Sequence, residues 1–163
     1  MNSAEITALS IENFEDSTKP LVYTYKVKVP NYAQKTGKRL FLQPGIFEYN
    51  SEPTFSSATR THSIYFPYPW SEEDKIELEL PKNFELDNAD NPGSVADPSK
   101  IGSLDITIGI NKASNTLIYT RNFHFGGGDN ILFPAGVYQP VKNLFDAFHK
   151  ADTHAITIKQ KAN

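Results

Sequence analysis

An alternation of apolar and polar residues runs through much of the chain. In KIELELP, Ile76, Leu78 and Leu80 occupy one parity, and Glu77 and Glu79 occupy the other. Successive side chains of a strand point to opposite sides, so this period of two predicts a strand with one solvated face. On a helix, the same residues would point in different directions and form no single apolar face. Because the alternation recurs through much of the chain, the chain is expected to be mainly β.

The same alternation appears in VYTYKVKV (22–29) and LDITIGI (104–110). The segment SNTLIYTRNFHF (114–125) follows LDITIGI through INKASN, which has the composition of a hairpin turn. Further strands are expected at 6–14, 39–42, 60–66 and 155–159, and the polar stretch 86–100 is predicted to be a surface loop. About eight strands with short connections favour an antiparallel β-sandwich.

One segment near the C-terminus has a helical period instead. In YQPVKNLFDAFHKAD, Val141, Leu144, Phe145 and Phe148 follow i, i+3, i+4, i+7 spacing. Pro140 suits a first helical turn. The segment predicts a single amphipathic helix, followed by the strand HAITIK, with the two phenylalanines sealing the helix onto the sandwich.

Length and composition limit the function classes. A chain of 163 residues is expected to form a single domain, 1–163. The net charge of -3 and the lack of a Lys/Arg block argue against a nucleic-acid partner. The absence of cysteine excludes disulfides, thiolate metal sites and a thiol nucleophile. Since no run of about 18 apolar residues occurs, no membrane insertion is expected.

The four histidines are candidates for catalytic or metal-binding groups. His149, Asp152 and His154 have a spacing that resembles a metal site, and a hydrolase that uses them is one possible interpretation. The string crosses a helix end, so the preferred interpretation is polar residues that complement the helix dipole. His62 and His124 fall within predicted strands and are interpreted as half-buried sheet residues.

Two other motifs suggest chemistry but have simpler interpretations. FGGGDN (125–130) lacks the Lys-Ser/Thr pair of a phosphate loop and is interpreted as a flexible connection. Glu72, Glu73 and Asp74 could form an acid and base pair, but they are interpreted as a solvated acidic turn. No catalytic residue, metal ligand or cofactor is therefore predicted.

The stretch FPYPW (66–70) is rich in aromatic rings. Tyr68 and Trp70 are two residues apart, so an extended chain points both to one side, as in sugar-stacking sites. Pro67 and Pro69 instead favour a corner between strands, in which large rings cap the core. The corner is preferred, and Phe66, Tyr68 and Trp70 are retained as possible ligand or interface residues.

The order of several segments resembles a known family. The segments are KPLVYTYKVKVPNYAQKTGKRLFLQP, RTHSIYFPYPW, IELELPKNFEL, NTLIYTRNFHF and YQPVKNLFDAFHKADTHAITIK. Together they resemble the C-terminal β-rich domain of unknown function of large bacterial transglutaminase-like proteins, over residues 4–160. Pro81, Tyr138 and Lys150 to Asp152 match its pattern, whereas Asn83 stands where glycine is common.

The resemblance implies a non-catalytic accessory domain. The family's catalytic Cys, His and Asp belong to a separate core domain, and no residue here matches them. It also implies a periplasmic or extracellular location, a longer parent chain, and packing against a neighbouring transglutaminase-like domain or an envelope protein. The alternative function is a carbohydrate- or peptide-binding module that uses Phe66, Tyr68 and Trp70.

Overall fold

The structure is a computed structural model that describes residues 4–161. It is mainly β, with antiparallel strands and one α-helix near the C-terminal end, as the alternation predicts. The described chain forms two compact units, one up to Gln34 and one from Lys35 onward. None of its helices has the length and apolarity that a membrane-spanning segment requires.

The strands and the helix have the following bounds. The strands are β1 (Glu5–Glu12), β2 (Val22–Lys28), β3 (Gln34–Thr36), β4 (Arg39–Leu42), β5 (Ile64–Tyr65), β6 (Trp70–Glu79), β7 (Phe84–Asn88), β8 (Gly93–Ala96), β9 (Gly102–Asn111), β10 (Thr116–Phe125), β11 (Leu132–Phe133) and β12 (Ile156–Gln160). The helix is α1 (Tyr138–Asp152). Its bounds are those of the segment in which the sequence predicts a helix.

The first unit contains an antiparallel hairpin of β1 and β2. The ladder runs from Glu5 opposite Lys28 to Glu12 opposite Val22. Its register shifts between Ile6 and Ala8, so one extra residue stands on β1 at that point. All residues of both strands are exposed to solvent.

The second unit is built around a four-stranded sheet with the order β6-β10-β9-β8. Strands β9 and β10 pair without a shift from Asn111 opposite Thr116 to Gly102 opposite Phe125, so the predicted hairpin at INKASN is confirmed. The side chain of Asn111 accepts a hydrogen bond from the backbone N–H of Ala113 at 3.1 Å, which stabilises the turn.

One face of this sheet carries the core. The alternation places Leu104 and Ile106 of β9 on the same face as Phe123 and Phe125 of β10, with Leu104 directly opposite Phe123, and all four are buried. Helix α1 lies on this face and contributes Val141, Phe145 and Phe148 to the buried cluster. The ring of Phe145 is 4.9 Å from that of Phe125, and the ring of Phe148 is 5.3 Å from that of Phe123.

A second four-stranded sheet has the order β3-β4-β12-β7, and β5 pairs with β11 in a short ladder. Strand β12 supplies the buried Ile156 and Ile158 to the core. Since β12 follows α1 directly, the predicted order of helix and then strand at the C-terminal end is confirmed.

The structure corrects three strand predictions. Residues 86–100 are not a simple loop, because they include the end of β7 and the short edge strand β8, which pairs with β9. Strand β6 begins at Trp70, so the acidic run belongs to a strand. Only Ile64 and Tyr65 of the predicted strand 60–66 form a ladder. Strands β5 and β6 pair with β11 and β10, which are distant in the sequence, whereas β8 pairs with the next strand, β9. In each case the pairing decides the conformation, and local composition does not reveal it.

Replacing Phe145 or Phe148 with Ala is expected to lower the free energy of unfolding by about 3–5 kcal/mol, because each change empties a buried ring position. Urea denaturation of each variant measures this loss. Phe47→Ala is the matched control, since Phe47 is 61% exposed, and we expect it to cost less than about 0.5 kcal/mol. A loss below about 1 kcal/mol at both buried positions would contradict the docked helix.

Candidate functional site

A buried arginine stands in the core-facing row of β10. Leu117, Tyr119, Phe123 and Phe125 share this parity with Arg121, and the side chain of Arg121 is only 4% exposed. Burying a cation is costly unless it is paired and hydrogen-bonded. The neighbours of Arg121 therefore determine whether this position is structural or functional.

Arg121 is paired with carboxylates from two other elements. Its Nε donates to Asp152 Oδ1 at 2.7 Å and its Nη2 to Asp152 Oδ2 at 3.1 Å, in a bidentate arrangement. Its Nη1 donates to Glu72 Oε2 at 2.7 Å and lies 3.6 Å from Asp74 Oδ2. Glu72 and Asp74 face the core side of β6 because they have the same parity as Ile76. Their predicted solvated turn is therefore wrong.

The cluster of Arg121, Glu48, Glu72, Asp74 and Asp152 carries more negative than positive charge. Burial raises the pKa of Glu48 and of Asp74, although the Arg121 charge acts in the opposite direction on both. For Arg121, burial acts to lower the pKa, but hydrogen bonds to Asp152 and Glu72 outweigh it and raise the pKa above its usual range.

Tyr119 lies next to this cluster. Burial is the main cause that raises the pKa of the Tyr119 phenol, and the negative charge of Asp152 adds to it. Its hydroxyl is buried and has no hydrogen-bond partner within residues 4–161. The phenol is therefore held in its neutral form.

A cavity of about 150 Å³ adjoins the cluster. Its lining includes carboxylates (Glu48, Glu52, Glu72, Asp152), the imidazole of His149 and the aromatic rings Trp70, Phe123, Phe145 and Phe148. Both carboxylate oxygens of Asp152 already accept hydrogen bonds from Arg121. Across the described part of the chain, no set of three or more His, Asp or Glu side chains is arranged to hold a metal ion.

The structure does not bring His149, Asp152 and His154 together as one site. His149 lines the cavity beside Arg121, whereas His154 lines a separate depression with Pro92 and Val95. The predicted half-buried positions of His62 and His124 are wrong, because both are exposed. His124 Nδ1 is 3.0 Å from Ser71 Oγ.

The FGGGDN segment packs tightly. A Cβ on Gly126, whose φ is +90°, would lie 2.5 Å from Pro69 Cβ, and a Cβ on Gly127 would lie 2.1 Å from the carbonyl oxygen of Lys100. Glycines are therefore needed so that this turn can pass behind the aromatic corner. Packing accounts for this motif without a phosphate ligand.

The aromatic corner, residues 66–70, has an inner and an outer part. Phe66 stacks on Phe145 with ring centroids 5.5 Å apart, and Trp70 is 5.1 Å from Phe125. Tyr68 is 63% exposed. Trp70 Nε1 donates to Glu72 Oε1 at 3.0 Å, which fixes the orientation of the indole.

A shallow depression of about 320 Å³ opens at this corner. Phe66, Pro67, Tyr68, Trp70 and Glu72 line it. All three aromatic residues singled out from the sequence therefore border one depression. Its exposed ring and nearby carboxylate have the chemistry with which proteins contact sugars.

The second candidate surface is one face of the β1–β2 hairpin, which we call the apolar face. The pairs Leu9–Tyr25 and Ile11–Tyr23 lie on it, and because of the register shift Ile6 joins Val27 on the same side. Its six members are between 43% and 63% exposed: Ile6, Leu9, Ile11, Tyr23, Tyr25 and Val27.

Residues 38–158 match the family described as a domain of unknown function with a solved structure, DUF3858. The chain belongs to the DUF3858 family. The matched region contains Arg121, its three carboxylate partners and the aromatic corner, while β1 and β2 lie outside it. Beyond the DUF3858 match, no curated protein and no solved structure matches the chain.

The charged cluster was missed in the sequence, although a signal for it exists. On β6, the parity of Ile76 extends back through Asp74 and Glu72, and on β10 an arginine interrupts an apolar row. Opposite charges on the inward parity of two strands indicate a buried ion pair. The pairing of β6 with β10, which the sequence does not reveal, was needed to use this signal.

Removing the carboxylate of Asp152 leaves the charge of Arg121 buried with fewer partners. We expect Asp152→Ala to lower the free energy of unfolding by about 3–5 kcal/mol. Asp146→Ala, on the same helix, is the control, because Asp146 is 42% exposed and pairs with Lys142, and its loss should stay below about 1 kcal/mol. Chemical denaturation of both variants measures the difference, and equal losses would show that the buried pair adds no stability.

Proposed function

We propose that this chain is a non-catalytic interaction domain that docks on another protein surface through the apolar face of its β1–β2 hairpin. The observation that carries the proposal is the exposure of all six apolar side chains on one side of a two-stranded sheet. The described residues of the second unit offer a buried ion cluster with a structural role, and this cluster needs no substrate to explain it.

A two-stranded hairpin whose apolar face is exposed to water is an unfavourable structure. A two-stranded sheet is only marginally stable unless a further strand, sheet or helix packs on its apolar face. Exposed apolar patches of several hundred Å² mark interaction sites in proteins. A partner that covers the apolar face therefore supplies the missing packing.

The finer proposal concerns the parent protein. The resemblance to transglutaminase-like proteins supports an accessory role in a secreted or envelope protein, where the domain also packs against a neighbouring transglutaminase-like domain or an envelope protein. The net charge of -3 gives no support to a nucleic-acid partner.

Two antibodies on fractionated native cells test this proposal. One is raised against the hairpin and selected for loss of binding when Tyr23 and Tyr25 are replaced by Ala, and the other is raised against residues 86–100. On a denaturing blot, both are expected to detect a band several times larger than 18.3 kDa in the envelope or periplasmic fraction. Under native conditions, the antibody against residues 86–100 should capture the protein and the hairpin antibody should not, because the apolar face that it recognises is covered.

Native capture and the denaturing blot test different parts of the proposal. Equal native capture by both antibodies would contradict a covered apolar face. A cytosolic band near 18.3 kDa would contradict the secreted, transglutaminase-like parent.

The depression at the aromatic corner supports a second candidate function, a carbohydrate- or peptide-binding module. Tyr68 is exposed on its rim, Trp70 forms part of its wall, and the Glu72 carboxylate lies beside them. An aromatic ring with a neighbouring acceptor can stack on a sugar and bind its hydroxyl groups.

Because Trp70 is the single tryptophan of the chain, tryptophan fluorescence reports on the depression and on the adjoining cavity that Trp70 also lines. A glycan ligand is expected to shift the emission, and Tyr68→Ala should weaken the response at least about tenfold, whereas Tyr65→Ala should leave it within about twofold. Tyr65 is a matched control, since it is 66% exposed and lies outside the depression. An unchanged emission across a panel of glycans and peptides would remove this candidate.

A further inference from the structure

We infer that the occupant of the apolar face is the same face of a second copy of this chain, so that two hairpins pack as the layers of a small β-sandwich. This inference rests on the proposed function and names the partner at that surface.

The apolar face is uniform along its length. Its three cross-strand pairs are Ile6–Val27, Leu9–Tyr25 and Ile11–Tyr23, and none contains a charged side chain. A heterologous partner is commonly selected by complementary charges, and this face offers none. Association therefore depends on shape and on apolar burial.

The two rows of the face differ in a way that suits self-association. Strand β1 contributes only aliphatic side chains, Ile6, Leu9 and Ile11, whereas β2 contributes two tyrosine rings. A two-fold axis parallel to the strands and between the layers places β1 of each copy over β2 of the other. In this arrangement, Leu9 of one copy lies over Tyr25 of the second.

This arrangement places an aliphatic side chain over a tyrosine ring at the Leu9–Tyr25 and Ile11–Tyr23 positions, and Ile6 over the aliphatic Val27. Aliphatic side chains pack onto the faces of aromatic rings, while the two hydroxyls can extend to the solvated rim of the interface. The contact is isologous, as in most homodimers, because residue 9 meets residue 25 and residue 25 meets residue 9.

The area is sufficient for a dimer. With about half of each side chain accessible, the six residues offer on the order of 600 Å² per copy, so pairing two copies buries about 1,200 Å², the lower limit for a specific interface. The opposite face carries Glu5, Glu12, Lys26 and Lys28 and remains in water, so assembly stops at two layers.

Sedimentation equilibrium on the full 163-residue chain tests the inference. The mass is expected to rise from near 18.3 kDa to about twice that value as the concentration increases through the micromolar range. Tyr25→Glu on the apolar face should raise the dimer dissociation constant at least about tenfold, and Thr24→Glu on the polar face should change it less than about twofold.

A cross-linking experiment avoids relying on a charged variant that could disturb the hairpin. Because the chain has no cysteine, each single substitution introduces the one thiol with which a cross-linker can react. When the Leu9→Cys and Tyr25→Cys chains are mixed, a bis-maleimide with a reach of about 10 Å should join them rapidly, because packed sheets lie about that far apart. The matched control is a mixture of Ser10→Cys and Thr24→Cys, whose side chains share the polar face.

The outcomes distinguish a failure of the second-copy inference from a failure of the proposed docking function. A monomer at all concentrations, with equally slow cross-linking of both mixtures, overturns the second copy as occupant. If the hairpin antibody still fails on native protein in that case, the interaction function stands with a different partner. A dimer in which Thr24→Glu dissociates as readily as Tyr25→Glu also overturns the inference.

Discussion

The pairing of Arg121 with Asp152 joins the only α-helix of residues 4–161 to β10, an inner strand of the main sheet. Asp152 is the last residue of α1, and Arg121 lies in the middle of β10, so the pair fixes the C-terminal end of the helix over the sheet. The aromatic contacts of Phe145 and Phe148 with β10 then follow along the same helical stripe. Separating the two side chains would leave the charge of Arg121 buried with fewer partners, so the pair constrains where the end of the helix can lie.

The aromatic corner depends on the position of that helix. Phe66 stacks on Phe145, and the turn at Gly126 passes so close to Pro69 that no side chain fits. The corner, the glycine turn and the helix therefore form one packed unit. The depression lined by Tyr68 and Trp70 lies on the outer side of this corner, and the packed rings behind it form a rigid wall.

The sequence predicted those parts of the fold that depend on local periodicity. The helix, the β9–β10 hairpin and the inward parity of Leu104 and Ile106 are read directly from 3.6- and 2-residue periods. Strand β8 and the start of β6 were not predicted, because pairing with β9 and β10 imposes the strand conformation on sequences rich in Gly, Pro or acidic residues. For the same reason the Arg121 cluster was missed, since its members come from β6, β10 and α1.

The register shift in β1 also affects the edges of the hairpin. A bulge interrupts the regular spacing of backbone donors and acceptors along the outer side of β1, and Lys26 and Lys28 place charge on β2. Both edges are therefore poor templates for adding further strands. A hairpin with guarded edges and one open face can associate in layers without extending into a continuous sheet, and so it combines an exposed apolar surface with resistance to fibre formation.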